Sequence, residues 1–509
     1  MIIKTDQQRA DTINALGASH MITPNMDRLV NEGVSFTNAF CCGATCISSR
    51  VAFYTGRFAH NTGVYSFDDW ADKRTWLHDL KDAGYHLSDV GKVHHQPCDA
   101  QMAYDERVIA ENFPMFTDYD DFSNYLKAEG QENPCKLHVA DGKWLDKCVS
   151  QPYPLDEKYH VDNFLGRMAC HWIDSYDKEK PFFLHVGFVG PHDPYDPPKR
   201  FLDMYKDVEI PAPVKRGDEF ETKPPQYKRF MEQCLREPDD PTFTKPGGYG
   251  VFSVRIDDKT DEQLLEMRRH YYAKITHIDE QIGKIMKSLE EKGLLDNTIV
   301  VFTADHGDNL ADHGMMYKWL MTEQSTKVPM VVRMPGKKRF GIVDEDLFTQ
   351  MDVGPTLLDF AGLEVPCYLD GSSNLQRIAS GDKTQVPEKV YCEDNYLTMV
   401  RTKTHRFIHY AGQNVGEYYD IINDPYEFEN LYDDPEYQDD IVKLKLDLLE
   451  WRCVSRYLGS ALNVGLGPKP KRYWPGYIPE DPYILSGPPR HDRTRIGEET
   501  ESKLQEKDC

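Results

Sequence analysis

The chain has 509 residues, a formal net charge of −24, 40% hydrophobic residues and 12% aromatic residues. That size and apolar content are enough for one large packed domain and a smaller one, which excludes a largely disordered chain. The acidity excludes a general basic field for nucleic acid or anionic membranes, so neither is expected as a partner, and an anionic substrate would need a local cluster of cations.

Short apolar runs alternate with amphipathic stretches, which predicts an α/β domain over residues 1–380. Met1 to Thr5 reads as a very short first strand, and Asn25 to Val30 as a helix ended by Gly33. Val34 to Phe40 alternates like a strand and leads into a turn at Cys46. Residues 100–160 and 205–255 are rich in charge, Pro and Gly and read as insertions around a pocket. Pro181 to Phe188 reads as a buried strand. From Thr260 to Gly293 the pattern is helical, with Ile275, Ile278, Ile282 and Ile285 on one stripe. Thr298 to Ala304 is a β-branched strand ending at Asp305, and Val328 to Arg333 is another candidate. Residues 381–458 change texture to four short antiparallel strands and a helix, and residues 459–509 form a Pro-rich tail expected to wrap the surface. No window has the length and apolarity of a membrane span. Met1-Ile2-Ile3-Lys4-Thr5-Asp6 lacks a signal-peptide pattern, so the compartment stays open: cytoplasmic as written, periplasmic or secreted if a leader was removed.

Twelve cysteines are scattered along the chain without CxxC pairs or zinc-type spacing, which favours mostly reduced thiols and leaves isolated disulfides, whose pairing the sequence does not give, as the alternative. Cys46 differs from the others by its surroundings. It opens the run Cys46-Ile47-Ser48-Ser49-Arg50, after small residues and before Thr55-Gly56-Arg57. A helix N-terminus offers unpaired N–H groups to an oxyanion, and Arg50 one turn on adds a planar cation. The same pattern also describes a buried structural thiol beside an ordinary Arg.

Two acidic clusters stand where strands end: Asp6-Gln7, and Asp305-His306-Gly307-Asp308. Parallel strands converge their carboxyl ends at one edge, so these oxygens and an imidazole can meet around a hard divalent cation. Gly91-Lys92-Val93-His94-His95 supplies a point charge and two candidate proton carriers. Gly190-Pro191-His192-Asp193-Pro194 is a Pro-flanked His loop, and Asp312-His313-Gly314-Met315-Met316-Tyr317-Lys318 ends in a further cation.

Together these elements resemble the type I (formylglycine-dependent) sulfatases of the alkaline phosphatase superfamily. That family's signature is Cys-x-Pro-x-Arg followed by Thr-Gly-Arg; Ser48 stands here where the family usually has Pro or Ala. The resemblance spans roughly residues 1–455. It implies a large, mixed, mainly parallel sheet flanked by helices, with a smaller C-terminal α+β subdomain on an antiparallel sheet. It implies that Cys46 becomes formylglycine through a formylglycine-generating enzyme. It places one divalent cation, Ca²⁺ first and Mg²⁺ or Mn²⁺ as alternatives, between Asp6, Gln7, Cys46, Asp305 and His306. Arg50, Lys92 and Lys318 then face sulfate oxygens, His192 faces the leaving oxygen and His94 the second hydroxyl of the aldehyde hydrate. The expected activity is release of inorganic sulfate from a sulfated carbohydrate. Two alternatives share the motifs: a phosphonate monoester or phosphodiester hydrolase, and a silent protein that binds sulfated glycans.

Overall fold

Strands β1 (Ile2–Asp6), β2 (Val34–Phe40), β3 (His86–Gly91), β4 (Glu106–Ile109), β5 (Phe182–Pro191), β6 (Val300–Ala304), β7 (Met330–Arg333) and β8 (Ile342–Thr349) form one sheet in the order β4-β3-β5-β1-β6-β7-β2-β8. The structure is a computed structural model that describes residues 1–456 except 66–67, 112–119, 141–145, 178, 229–253, 255 and 337–338. The expected 459–509 tail lies outside the described residues. β3, β5, β1 and β6 are neighbours and mutually parallel. β7 alone runs against them, being antiparallel to both β6 and β2, so β2 again points the same way as β6. β4 is parallel to β3 and β8 to β2, so the carboxyl ends of seven strands share one edge, where open α/β sheets place their ligands.

Alternation along each strand divides the apolar residues between two cores. Ile3, Val186 and Phe302 pack on one face with Ile275, Ile278, Ile282 and Ile285 of the long helix Asp261–Glu291. Ile2, Phe183 and Val301 pack on the other face with Val51 and Phe53 of the helix Cys46–Thr55. The isoleucine stripe is fully buried, each side chain contributing about 1.5–3 kcal/mol. Thr260 and Gln263 form a reciprocal cap that starts the long helix.

The chain then forms a second, four-stranded antiparallel sheet, β9 (Val390–Asp394), β10 (Leu397–Arg401), β11 (His405–Tyr410) and β12 (Gly416–Asp420), followed by the helix Gln438–Arg456. This arrangement matches the expected fold class. One expectation fails. Residues 106–109 lie in the stretch read as an insertion, yet they pair in parallel with β3 as the sheet's edge. The four residues Glu106-Arg107-Val108-Ile109 are too short and too charged to announce a strand, and an edge strand tolerates that composition. No helix among the described residues is long and apolar enough to cross a membrane.

Candidate active site

Each parallel strand delivers one chemical group at the shared edge. Asp6 is the last residue of β1, Asp305 follows β6, Lys92 follows β3 and His192 follows β5. The Asp305 N–H donates to the Thr5 carbonyl at 3.2 Å, and the His192 N–H to the Asp6 carbonyl at 3.1 Å, so the strand ends are tied to one another. Gly91, at φ +124°, allows the chain to turn into Lys92; a Cβ there would run into the Gly187 carbonyl oxygen.

The helix Cys46–Thr55 enters from β2 and ends at Gly56 in the left-handed region. All ten of its residues are buried, Arg50 included. The Arg50 guanidinium spends three donors on fixed partners: Nη2 on Asp6 Oδ2 at 2.9 Å, Nε on Asp305 Oδ2 at 2.9 Å and Nη1 on the Lys92 carbonyl at 2.6 Å. Lys92 Nζ adds a second cation on Asp6 Oδ2 at 2.9 Å. Burial alone would raise the Asp6 carboxyl, but Lys92, His192, Arg50 and Lys318 hold it well below the usual range. Removing one partner from such a buried set leaves an uncompensated charge, which costs about 3–5 kcal/mol.

Cys46 sits above this base. Its sulfur is 3.0 Å from Lys318 Nζ, 3.2 Å from His306 Nε2 and 4.0 Å from Asp6 Oδ1. Burial and Asp6 push the thiol up, yet Lys318 and His306 outweigh them and lower it. His306 Nδ1 is 2.8 Å from the Gly307 carbonyl, which fixes the tautomer with Nε2 facing the sulfur. Burial lowers the His306 imidazole, but Asp305 and Cys46 together outweigh it and push it up to about 9.

Asp6, Cys46, Asp305 and His306 each offer a ligand atom, and these atoms lie within 4.8 Å of one another. Two carboxylates, an oriented imidazole and the position-46 side chain fit one divalent ion. Gln7 joins them through strained backbone, at φ +66°. Its N–H donates to Asp305 Oδ1 at 2.9 Å, its Nε2 to Asp308 Oδ2 at 2.6 Å, and its Oε1 accepts from Lys318 at 2.6 Å.

The remaining expected residues surround the same point. His94 is also at positive φ, +64°, held by its N–H on Glu111 Oε1 at 2.8 Å. His192 Nδ1 faces the Asp193 carbonyl at 2.9 Å and Asp193 Oδ1 at 3.1 Å. Burial pushes both imidazoles well below their ordinary value. Lys318 is raised despite burial, by Cys46, Asp6 and Asp305. Its loop is unusual: Leu310, Ala311, His313, Tyr317 and Trp319 all have positive φ. The Tyr317 N–H on Asp308 Oδ1 at 3.0 Å and the Trp319 N–H on the Ala44 carbonyl at 3.2 Å hold Lys318 between them. Ser48 bonds Thr45 Oγ1 at 2.8 Å and Asp394 Oδ2 at 3.1 Å, linking this helix to β9.

The ten named residues thus converge. Sequence reasoning missed several supports. Ser49 Oγ donates to the Asp305 carbonyl at 2.6 Å, and Tyr195 OH to Asp308 Oδ2 at 2.7 Å. Asp308, three residues after Asp305, was visible as part of an acidic cluster; Tyr195 and Glu111 carried no local signal.

Comparison with known proteins gives independent findings. The sulfatase family model matches residues 1–363, and the model described as N-sulphoglucosamine sulphohydrolase, C-terminal, matches residues 311–453. An arylsulfatase of Clostridium perfringens is 30% identical over 470 residues, covering 88% of this chain and 93% of that protein. The N-acetylglucosamine-6-O-sulfatase of Bacteroides thetaiotaomicron is 25% identical over 494 residues, covering 86% of this chain and 83% of that protein. The crystal structure of a phosphonate monoester hydrolase of Agrobacterium radiobacter shares the fold, with a TM-score of 0.75 at 23% identity, covering 89% of this chain and 95% of that one.

Proposed function

This chain belongs to the sulfatase family and is a hydrolase of sulfuric esters, and from that premise we propose that it releases sulfate from a sulfated carbohydrate, using a formylglycine made from Cys46. The observation that carries the reading is the position of the Cys46 sulfur, within 4.0 Å of Asp6, His306 and Lys318 at once. The carbohydrate part is supported by a relative named as an N-acetylglucosamine-6-O-sulfatase.

In this reading Asp6, Gln7, Asp305, His306 and the position-46 side chain would hold one divalent cation, Ca²⁺ by preference. The ion supplies a Lewis acid that makes a bound hydroxyl easier to deprotonate. The hydrate of a formylglycine aldehyde would carry two hydroxyls on one carbon, one to attack sulfur as the sugar oxygen departs and one whose deprotonation would expel sulfate and re-form the aldehyde. Arg50 keeps both carboxylates ionised and aimed. Lys92 and Lys318 meet charge on the sulfuryl oxygens in a water-poor site, where fixed cations are most effective. Burial, together with those two lysines, lowers the His192 imidazole; an arriving sulfate anion offsets the lysines, raises its proton affinity and lets it donate from Nε2 to the leaving oxygen. His94, kept neutral by burial, takes the proton of the second hydroxyl.

A phosphonate monoester hydrolase is the second reading, favoured by the 0.75 TM-score to such an enzyme. Parallel rates on N-acetylglucosamine 6-sulfate, 4-nitrophenyl sulfate and phenyl phenylphosphonate decide. Faster turnover of the sugar sulfate supports the proposal; a phosphonate-only preference overturns it.

A further inference from the structure

The His192 loop is anchored from behind by a residue outside every sulfatase-like motif of the chain. Lys274, on the long helix Asp261–Glu291, is 1% exposed. An ammonium has three donors. In Lys274 all three fall on one loop: the His192 carbonyl at 3.1 Å, the Pro194 carbonyl at 2.8 Å and Asp196 Oδ1 at 2.9 Å. The end of β5 that leads into the loop is held by Asp162, whose Oδ1 accepts the Val189 and Gly190 N–H groups at 3.0 and 3.1 Å. Its front is held by the His192 N–H on the Asp6 carbonyl. His192 is thus fixed at its own amide on one side and at its own carbonyl on the other. Asp196 is steadied in turn by His138 Nε2 at 3.1 Å.

The same region contains His160, Asp162 and His277, whose ligand-type atoms lie within 4.8 Å of each other. His160 Nδ1 already accepts the Asp162 N–H at 3.1 Å as the cap of the helix Val161–Ser175, so its lone pair is committed. The group reads as part of the scaffold under the loop rather than as an ion site.

We infer that Lys274 is a positioning residue for leaving-group protonation: it sets where His192 Nε2 points, and so its importance grows with the basicity of the departing oxygen. This rests on the leaving-group role given to His192 above. An alkoxide needs a proton as it departs, whereas nitrophenolate leaves without one. A displacement near 1 Å at a reacting group costs about 10²-fold.

The experiment compares kcat/KM for N-acetylglucosamine 6-sulfate and for 4-nitrophenyl sulfate in wild type, Lys274→Met, Lys274→Arg and His192→Gln. The ratio of the two values does not depend on the fraction of enzyme folded. Lys274→Met is expected to lose about 10²-fold on the sugar sulfate and little on the nitrophenyl ester, and Lys274→Arg to recover part of that loss. If His192→Gln changes the ratio and Lys274→Met does not, the inference about Lys274 is overturned. If His192→Gln leaves the ratio unchanged, the leaving-group role of His192 fails instead. Hydrogen exchange of the 189–196 segment needs no turnover: about tenfold faster exchange in Lys274→Met, with the long helix unchanged, is expected. Unaltered exchange there also overturns the inference.

Discussion

The Lys318 ammonium stands 3.0 Å from the Cys46 sulfur although 272 residues separate them in the chain. The backbone makes this contact possible by holding Tyr317 and Trp319 at positive φ on either side of the lysine. Two bulky residues in that region cost on the order of 1–3 kcal/mol each and persist only where the surroundings fix them. The strain marks where the fold gives up stability to place a charge.

Arg50 is the keystone of the base. Arg50→Ala leaves the Asp6 and Asp305 carboxylates buried without their shared guanidinium. Denaturant unfolding is expected to show a loss of about 3–5 kcal/mol. A loss below about 1 kcal/mol would mean that the carboxylates are compensated by Lys92 alone.

Metal removal has a readout beside turnover. Chelation is expected to lower the melting temperature, and added Ca²⁺ at about 100 times its Kd to restore about 2.7 kcal/mol. Asp305→Asn removes one carboxylate and should abolish the Ca²⁺-dependent gain. An unchanged melting temperature on chelation and readdition counts against an ion at this edge.

The site was legible because its groups follow strands directly. Asp6, Lys92, His192 and Asp305 each stand at or one residue past a strand end, and each lies in a short motif with a chemical meaning. β5, β6 and the long helix were legible from apolar period alone. The supports were not. Lys274 lies on a helix whose pattern predicts only that its isoleucines are buried, and nothing local says that a lysine beside them points at a loop. β4 failed for the opposite reason: Glu106 and Arg107 hide two apolar residues in an edge strand. The ties of Arg50 to Asp6 and Asp305 were not legible either, because spacing on one helix shows no partner from distant strands.

Asp279 gives a pH prediction away from the site. Its carboxylate accepts the Asn25 and Met26 N–H groups at 3.1 and 2.7 Å, capping the helix Pro24–Asn31. Burial pushes this carboxyl up to about 6, against those hydrogen bonds. The folded state therefore keeps a proton that the unfolded chain releases near pH 4, and this group's contribution falls as pH rises from about 4 to 6. Asp279→Asn cannot titrate. Its stability relative to wild type should be lower at pH 4.5 than at pH 7, read from paired unfolding curves. A difference that does not vary with pH would show that Asp279 titrates as it does in the unfolded chain.

The most direct measurement is the mass of the tryptic peptide containing position 46, taken from a preparation that releases sulfate. The account predicts the aldehyde form in that peptide, and no turnover from Cys46→Ala, a loss on the order of 10⁴-fold or more. A fully active preparation whose peptide carries only the unmodified thiol would contradict it.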